Sequence, residues 1–330
     1  MTGSHFDGVT LFTVPKPFEG HIGVIQANAL RSWAALGDRV EIIVLGDEQG
    51  AAQAVKDAGA RHLVDVERNE LGTPLLNSVF GLAAEAARFD RMAYLNADVM
   101  LVDDFLPAVD RVSDALRRYL IVGQRWDLKV DDPIDFEGNG KRALSARLEN
   151  EGRRHPPAGS DYFVFPRGAF PPMPAFAVGR AGWDNWMIYA ARHAGWPVVD
   201  ASDAITVIHQ DHDYAHLPGG RSHYRLPESH RNVALGGGRE TIFTLRDANW
   251  SLDCEELHKL GPGRAGFFRW VEAGLISRWG SGTLAKLTRL SFHPIDALKY
   301  VGSRLSPRAP GRSGAASDSA GVERASGGPE

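Results

Sequence analysis

From Val9 to about Gly123, short β-rich runs alternate with stretches of helical period. Few folds tolerate that alternation, because each parallel strand must return through a crossover, usually a helix lying on the sheet. The runs are Val9 to Val14, Val40 to Leu45, Arg61 to Val64, Met92 to Leu95 and Tyr119 to Val122. Between the first two, Ile22, Ile25, Ala29, Trp33 and Leu36 recur at three- and four-residue steps and share one helix face, with Gly37 placed to stop that helix. A second helix is expected to open at Thr73-Pro74, with Thr as the cap and Pro first inside, turning Leu75, Val79, Leu82 and Ala86 inward. The fold class expected is α/β, a three-layer sandwich with a mainly parallel central sheet.

Past Arg125 the alternation breaks. Asp131 to Pro157 is polar, with a weak helical signal around Leu144 to Leu148, and reads as an excursion over the sheet. Tyr162 to Phe165, Val198-Val199 and Ile205 to Ile208 read as further strands, and Trp183 to Ala194 as a helix. Gly261 to Leu305 changes character, with seven Lys and Arg against two acidic residues, interleaved with Phe267, Phe268, Trp270, Trp279 and Phe292. Ser306 to Glu330 is Gly, Ser, Pro or Ala at 18 of 25 positions, too poor in apolar side chains to offset ordering entropy. The organisation expected is a flexible N-terminus at 1–8, one main domain at 9–260, a basic, aromatic helical extension at 261–305 and a disordered tail at 306–330.

A formal net charge of −4 gives no electrostatic footprint for nucleic acid, so no nucleic-acid partner is expected. Cys254 stands alone and cannot form an internal disulfide, and Met1 to Gly8 has no signal-peptide pattern. With no apolar run near the ~18 residues that span a bilayer, the expectation is a cytoplasmic protein whose only membrane association is peripheral, at the inner face. Two readings of 261–305 stand side by side: a face lying on anionic lipid, or a helical subdomain packing its aromatics on the core.

Ligands of open α/β sheets bind beyond the carboxyl ends of the strands. Four such ends are polar: Thr13 to Pro17, Gly46-Asp47-Glu48, Asn96-Ala97-Asp98 and Gln124-Arg125. Asn96-Ala97-Asp98 stands out, since Tyr94-Leu95 precede it and Val99-Met100-Leu101 follow. A polar triplet bracketed by apolar residues is costly unless something binds there. Alternation would put Asn96 and Asp98 on one side of the chain.

At a strand end after three βα units, Asn96-Ala97-Asp98 resembles the Asp-X-Asp motif of GT-A glycosyltransferases, with Asn96 in place of the first carboxylate. The resemblance runs from about Val9 to Arg221, and implies a GT-A-like (Rossmann-like) fold and a nucleoside-diphosphate sugar as donor. It also implies Mn2+ or Mg2+ held by Asp98 and the diphosphate, with a histidine from the end of the catalytic domain. Six of the twelve histidines lie between His193 and His230, and His209 or His212, just after an apolar strand, matches that histidine. Trp183-Asp184-Asn185-Trp186 resembles the acceptor site of certain inverting N-acetylglucosaminyltransferases. There Asp184 would be the general base and Trp183 and Trp186 walls for a sugar ring, the plain alternative being a helix cap beside core tryptophans. In a retaining enzyme Asp184 would position rather than deprotonate.

Lesser candidates surround these. Thr13, Pro15 and Asp47 sit where the family holds the base, Asn69, Thr73 and Asn77 lead into a helix N-terminus suited to ribose or phosphate oxygens, and a capping role would explain Thr73 equally well. Asp161 is placed to touch the donor sugar, and Pro218-Gly219-Gly220-Arg221 reads as a loop closing Arg221 onto the diphosphate. The acceptor expected is a hydroxyl of a carbohydrate, a lipid-linked sugar or a small molecule. Two other functions fit parts of the pattern. A nucleotidyltransferase shares the plan but normally has a Gly-rich basic loop after its first strand, where this chain has Val14-Pro15-Lys16-Pro17-Phe18-Glu19-Gly20. A non-catalytic sugar-binding module would have no need of Asp98 for turnover. A His-Glu-X-X-His hydrolase helix is absent.

Overall fold

The computed structural model describes residues 8–212, 225–262 and 266–293. The expected N-terminal segment 1–8, apart from Gly8, and the expected tail 306–330 lie outside the described residues, as do Pro218 to Arg221.

The strands expected from the five β-rich runs all join one nine-stranded sheet. Its members are β1 (Val9–Thr13), β2 (Val40–Leu45), β3 (Arg61–Leu63), β4 (Arg91–Leu95), β6 (Leu120–Val122), β9 (Tyr162–Pro166), β10 (Val198–Asp200), β12 (Trp250–Leu252) and β13 (Leu257–Lys259). They run in the order β13-β12-β10-β6-β9-β4-β1-β2-β3, and the five runs occupy one half, from the β3 edge inward to β6. Pairing is parallel except where β9 inserts between β4 and β6 and where β13 closes the edge. The fold is therefore mixed α/β with a largely parallel central sheet.

The pleat sorts side chains into two cores. Phe12, Ile43, Leu45, Met92, Tyr94, Phe163 and Phe165 face one side, against α3 (Leu76–Ala86) and α6 (Trp183–His193). Leu11, Ile42, Val44, Ala93, Leu95, Tyr162 and Val164 face the other, against α1 (Gly20–Ala34) and α4 (Phe105–Ala115). On α1, Ile25, Ala29 and Trp33 are buried as the spacing predicts, and the Trp33 indole donates to the Val99 carbonyl at 3.0 Å. Gly37 follows at φ 88°, a left-handed conformation that ends the helix cheaply only for glycine. A short helix, α2 (Ala51–Asp57), follows β2.

The expected cap at Thr73-Pro74 is displaced. α3 begins at Leu76 with Leu75 at the cap position and no side-chain cap, because Pro74 and Leu75 are held in isolated bridges to Arg68 and Ala177. Extended pairing of these residues outweighs local cap chemistry.

A second, four-stranded sheet, ordered β5-β11-β7-β8, sits beside the first; its strands are β5 (Val99–Leu101), β7 (Trp126–Leu128), β8 (Arg153–Arg154) and β11 (Val207–Gln210). The polar excursion lies over this sheet, where Leu144 of α5 (Gly140–Glu151) joins a small core with Met100, Leu128 and Ile208. At the C-terminal side, α7 (Pro227–Leu235) precedes α8 (Phe267–Trp279) and α9 (Thr283–Phe292), and the last two belong to the compact unit ending at Phe292. α8 packs on α6, seating Ala273 and Ile276 in the core. Among the described residues no helix is long and apolar enough to cross a membrane.

Candidate functional site

β4 delivers the chain to a turn at Asn96 to Asp98, closed by the Val99 amide donating to the Asn96 carbonyl at 3.3 Å. Since this is a turn, strand alternation does not govern Asn96 and Asp98, and their side chains take different partners. The chain then leaves the main sheet as β5, which pairs antiparallel with β11 so that His209 lies opposite Val99. That register carries the histidines over Asp98. His212 Nε2 is 3.2 Å and His209 Nε2 3.9 Å from Asp98 Oδ2, and ligand atoms of the three residues lie within 4.8 Å of one another. Both histidines reach the carboxylate, so sequence alternatives become a pair.

Asp98 Oδ1 is buried and has no hydrogen-bond partner among the described residues. Burial alone would raise the Asp98 pKa. The His212 hydrogen bond and the charges of His209 and Lys16 outweigh it and hold the carboxyl well below its ordinary value. An ionised, dehydrated carboxylate with a spare lone pair is a strong oxygen donor for a cation. Lys16, whose pKa is lowered by burial, lies within electrostatic reach of both Asp98 and Arg180. Arg180 is braced by Glu228 at 2.6 Å.

The far side of His209 is equally determined. β11 pairs parallel with β7, placing Asp127 beside His209, and His209 Nδ1 lies 3.5 Å from Asp127 Oδ1 and 3.7 Å from Asp211 Oδ1. Burial works to lower the His209 pKa, yet Asp127 and then Asp98 raise it. Nδ1 makes no hydrogen bond in this geometry, but the two carboxylates flank it while Nε2 faces the Asp98 side, the side on which a metal-binding histidine offers its ligand atom. Asp127 also takes His155 Nδ1 at 2.8 Å and Arg125 Nε at 2.9 Å.

Arg125 reaches on to Asp161 at 2.5 Å, and Asp161 accepts from Asn96 Nδ2 at 2.6 Å. Here lies a physical reason for Asn96, since an amide can donate to Asp161 where a carboxylate would repel it. Asn96→Asp is therefore expected to destabilise the fold by about 1–3 kcal/mol near neutral pH. The defect should shrink near pH ~4, where the two carboxyls can share a proton; urea midpoints at the two pH values check this.

Asp184 stands on the first turn of α6, after Gly182 at φ 105°. A Cβ on Gly182 would meet Val233 Cγ2 at 2.9 Å, so both backbone and space demand glycine where the chain turns into the helix. Burial, with a smaller push from the Asp161 charge, raises the Asp184 pKa to about 6 despite backbone amides at the helix start. Trp183 and Trp186, placed as walls for a sugar, are 5% and 8% exposed and pack edge-on against Tyr94 and Phe176, respectively. They form an aromatic floor under the helix start and offer little free ring surface.

The remaining residues divide. Thr13 Oγ1 and Asn77 Oδ1 are buried polar atoms without partners among the described residues, and Pro15 is buried at the end of β1. Asp47, by contrast, is exposed and ion-paired with Arg68 at 2.5 Å. Asn69 spends its side chain on protein partners, accepting from the Leu71 and Thr73 amides of its own turn and donating to Glu228 of α7. Thr73 is half-buried in that turn. Arg221 lies outside the described residues. Sequence reading passed over Lys16, Asp127 and Arg180. Arg125 showed only as a polar strand end.

No family model and no curated protein matches the chain. Among solved structures it is similar to Mycobacterium tuberculosis glucosyl-3-phosphoglycerate synthase, at 16% identity over 69% of this chain and 79% of that one, with a TM-score of 0.43. The same enzyme in complex with Mn2+, uridine diphosphate and glucosyl-3-phosphoglycerate gives 15% identity, coverage of 77% and 87%, and a TM-score of 0.42. Staphylococcus aureus TarS with UDP-GlcNAc gives 14% identity and a TM-score of 0.29, and the match spans 37% of this chain and 35% of that one. Likenesses this loose assign no activity, and function has to be read from the site's own geometry.

Proposed function

We propose that the chain is a metal-dependent glycosyltransferase that moves a sugar from a nucleoside-diphosphate sugar to a hydroxyl of a carbohydrate, lipid-linked or small-molecule acceptor. The supporting observation is the convergence of Asp98, His209 and His212, whose ligand atoms fall within 4.8 Å of one another, with both histidines on Asp98 Oδ2 and Oδ1 buried without a partner among the described residues. One carboxylate and two imidazoles suit Mn2+ better than Mg2+, which prefers oxygen donors, and either would have positions left for phosphate oxygens. A cation held there would neutralise the charge that builds on the departing diphosphate.

The chain's own residues supply the rest. Lys16 and Arg180 bring positive charge to the same diphosphate. Thr13 Oγ1 and Asn77 Oδ1 are available to the nucleoside. Asp127 lies against the Nδ1 edge of the His209 ring, and Arg125 holds Asp161 in place beneath Asn96. Asp184 takes the proton from the acceptor hydroxyl as that oxygen attacks the anomeric carbon. A pKa of about 6 leaves it mostly ionised near neutral pH while keeping it more basic than an ordinary aspartate.

A panel of nucleoside-diphosphate sugars, with water standing in for the acceptor, tests the reading. Consumption of at least one donor is expected, requiring Mn2+ or Mg2+ and stopping with a chelator. Binding without consumption would favour a sugar-binding module. Pyrophosphate release from a nucleoside triphosphate would favour a nucleotidyltransferase.

A further inference from the structure

The described residues expose nine large hydrophobic side chains, and six of them, Phe267, Phe268, Trp270, Trp279, Leu284 and Leu287, stand on α8 and α9. Every exposed large aromatic side chain in the described part of the protein is in this group. Phe267 is stacked against Trp270 with ring centroids 6.4 Å apart, and Phe268 meets Phe267 at 6.0 Å and Phe292 at 6.4 Å. The helices do have a buried side, formed by Ala273, Ile276 and Ala285. The exposed rings are therefore surplus to what fixes α8 and α9 on the core, and an exposed cluster such as Phe267, Phe268 and Trp270, with Phe292 against it, marks a contact site.

Charge says what the contact is. From Gly266 to His293 the only carboxylate is Glu272, which is 1% exposed and tied to Arg269 at 2.8 Å, whereas Arg278 and Lys286 are exposed. The face is thus aromatic and cationic on a chain whose net charge is −4. Phenylalanine and tryptophan rings beside Lys and Arg suit the boundary between headgroups and acyl chains, where rings enter the apolar layer and cations meet lipid phosphates. A second copy fits poorly, since a two-fold interface would set this cationic face against itself.

We propose that the exposed face of α8 and α9 docks on an anionic lipid bilayer. The proposal is independent of the reaction assigned above, and its test needs no catalysis. Cutting the chain after Leu260 would pull Ala273 and Ile276 out of the core, so point substitutions are the cleaner probe. Full-length protein is sedimented with phosphatidylcholine vesicles, with and without phosphatidylglycerol. Recovery is expected with phosphatidylglycerol and should fall as salt is raised. Arg278→Glu with Lys286→Glu should lower partitioning by about tenfold or more. Phe267→Ser with Phe268→Ser and Trp270→Ser should abolish it while leaving the melting temperature close to wild type. Equal recovery with and without phosphatidylglycerol, or a serine variant that still binds, would overturn the proposal. So would a dimer in light scattering that the serine variant dissolves without any vesicle binding by the wild type.

Discussion

Near pH ~8 the Asp184→Asn variant is expected to melt several degrees above the wild-type chain and to transfer sugar about 10²–10⁴-fold more slowly. Both effects come from one carboxyl. Its pKa rises from 3.8 to about 6 on folding. The folded protein therefore holds a proton between those values that the unfolded chain has lost, and stability falls as pH climbs from about 4 to about 6, then levels. Asparagine removes the ionisation and the burial cost with it, roughly 3 kcal/mol at most from a shift of about two units. The gain should be small near pH ~4 and full above about 6. Melting curves across that range, beside initial rates, test the assignment. A variant that keeps its activity would remove Asp184 from the chemistry, and one destabilised at every pH would show that the carboxylate is structural.

Asp98→Ala should act differently. Removing the carboxylate takes away the one ligand that both histidines face, and turnover should fall roughly 10²–10³-fold, matching the several kcal/mol a positioned cation supplies. The variant should still bind nucleoside diphosphate through Lys16 and Arg180, now without help from metal. His209→Ala should lose metal response as well. Asp127→Asn should weaken metal binding less, because it alters the hold on the ring and not a ligand, within the 10–100-fold typical of such supports.

Much of this was legible because it is local. The five runs from Val9 to Val122 and the stripe of Ile25, Ala29 and Trp33 are periodic patterns, and periodicity reports which side chains face a core. Asp98 was legible as a polar residue in an apolar setting. Its partners were legible only as a cluster after a strand, since the choice between His209 and His212 depends on the register of β11 against β5, a pairing across 110 residues of chain (209 − 99). Arg125 and Asp127 were hidden for the same reason. On and just before a three-residue strand, Asp127 and Arg125 look like ordinary surface charges, and only the second sheet places them between His209 and Asp161. Lys16 sat in a proline-rich loop that offered no phosphate-binding signal. The aromatic segment after Gly261 shows another limit: helical period groups residues on a face but does not say whether a core or the solvent meets it. Phe267 and Trp270 turned out to face solvent, while alanine and isoleucine face inward.

The central claim is that Asp98 binds a cation jointly with a nucleoside diphosphate. Its most direct test is the melting temperature of wild type and Asp98→Ala with uridine and guanosine diphosphates, each with and without Mn2+. Linkage predicts a wild-type shift with one nucleotide that grows when Mn2+ is added, while Mn2+ alone does little. In Asp98→Ala the nucleotide shift should no longer respond to metal. A flat wild-type response to every combination, or a metal-dependent shift that survives in Asp98→Ala, would contradict the account.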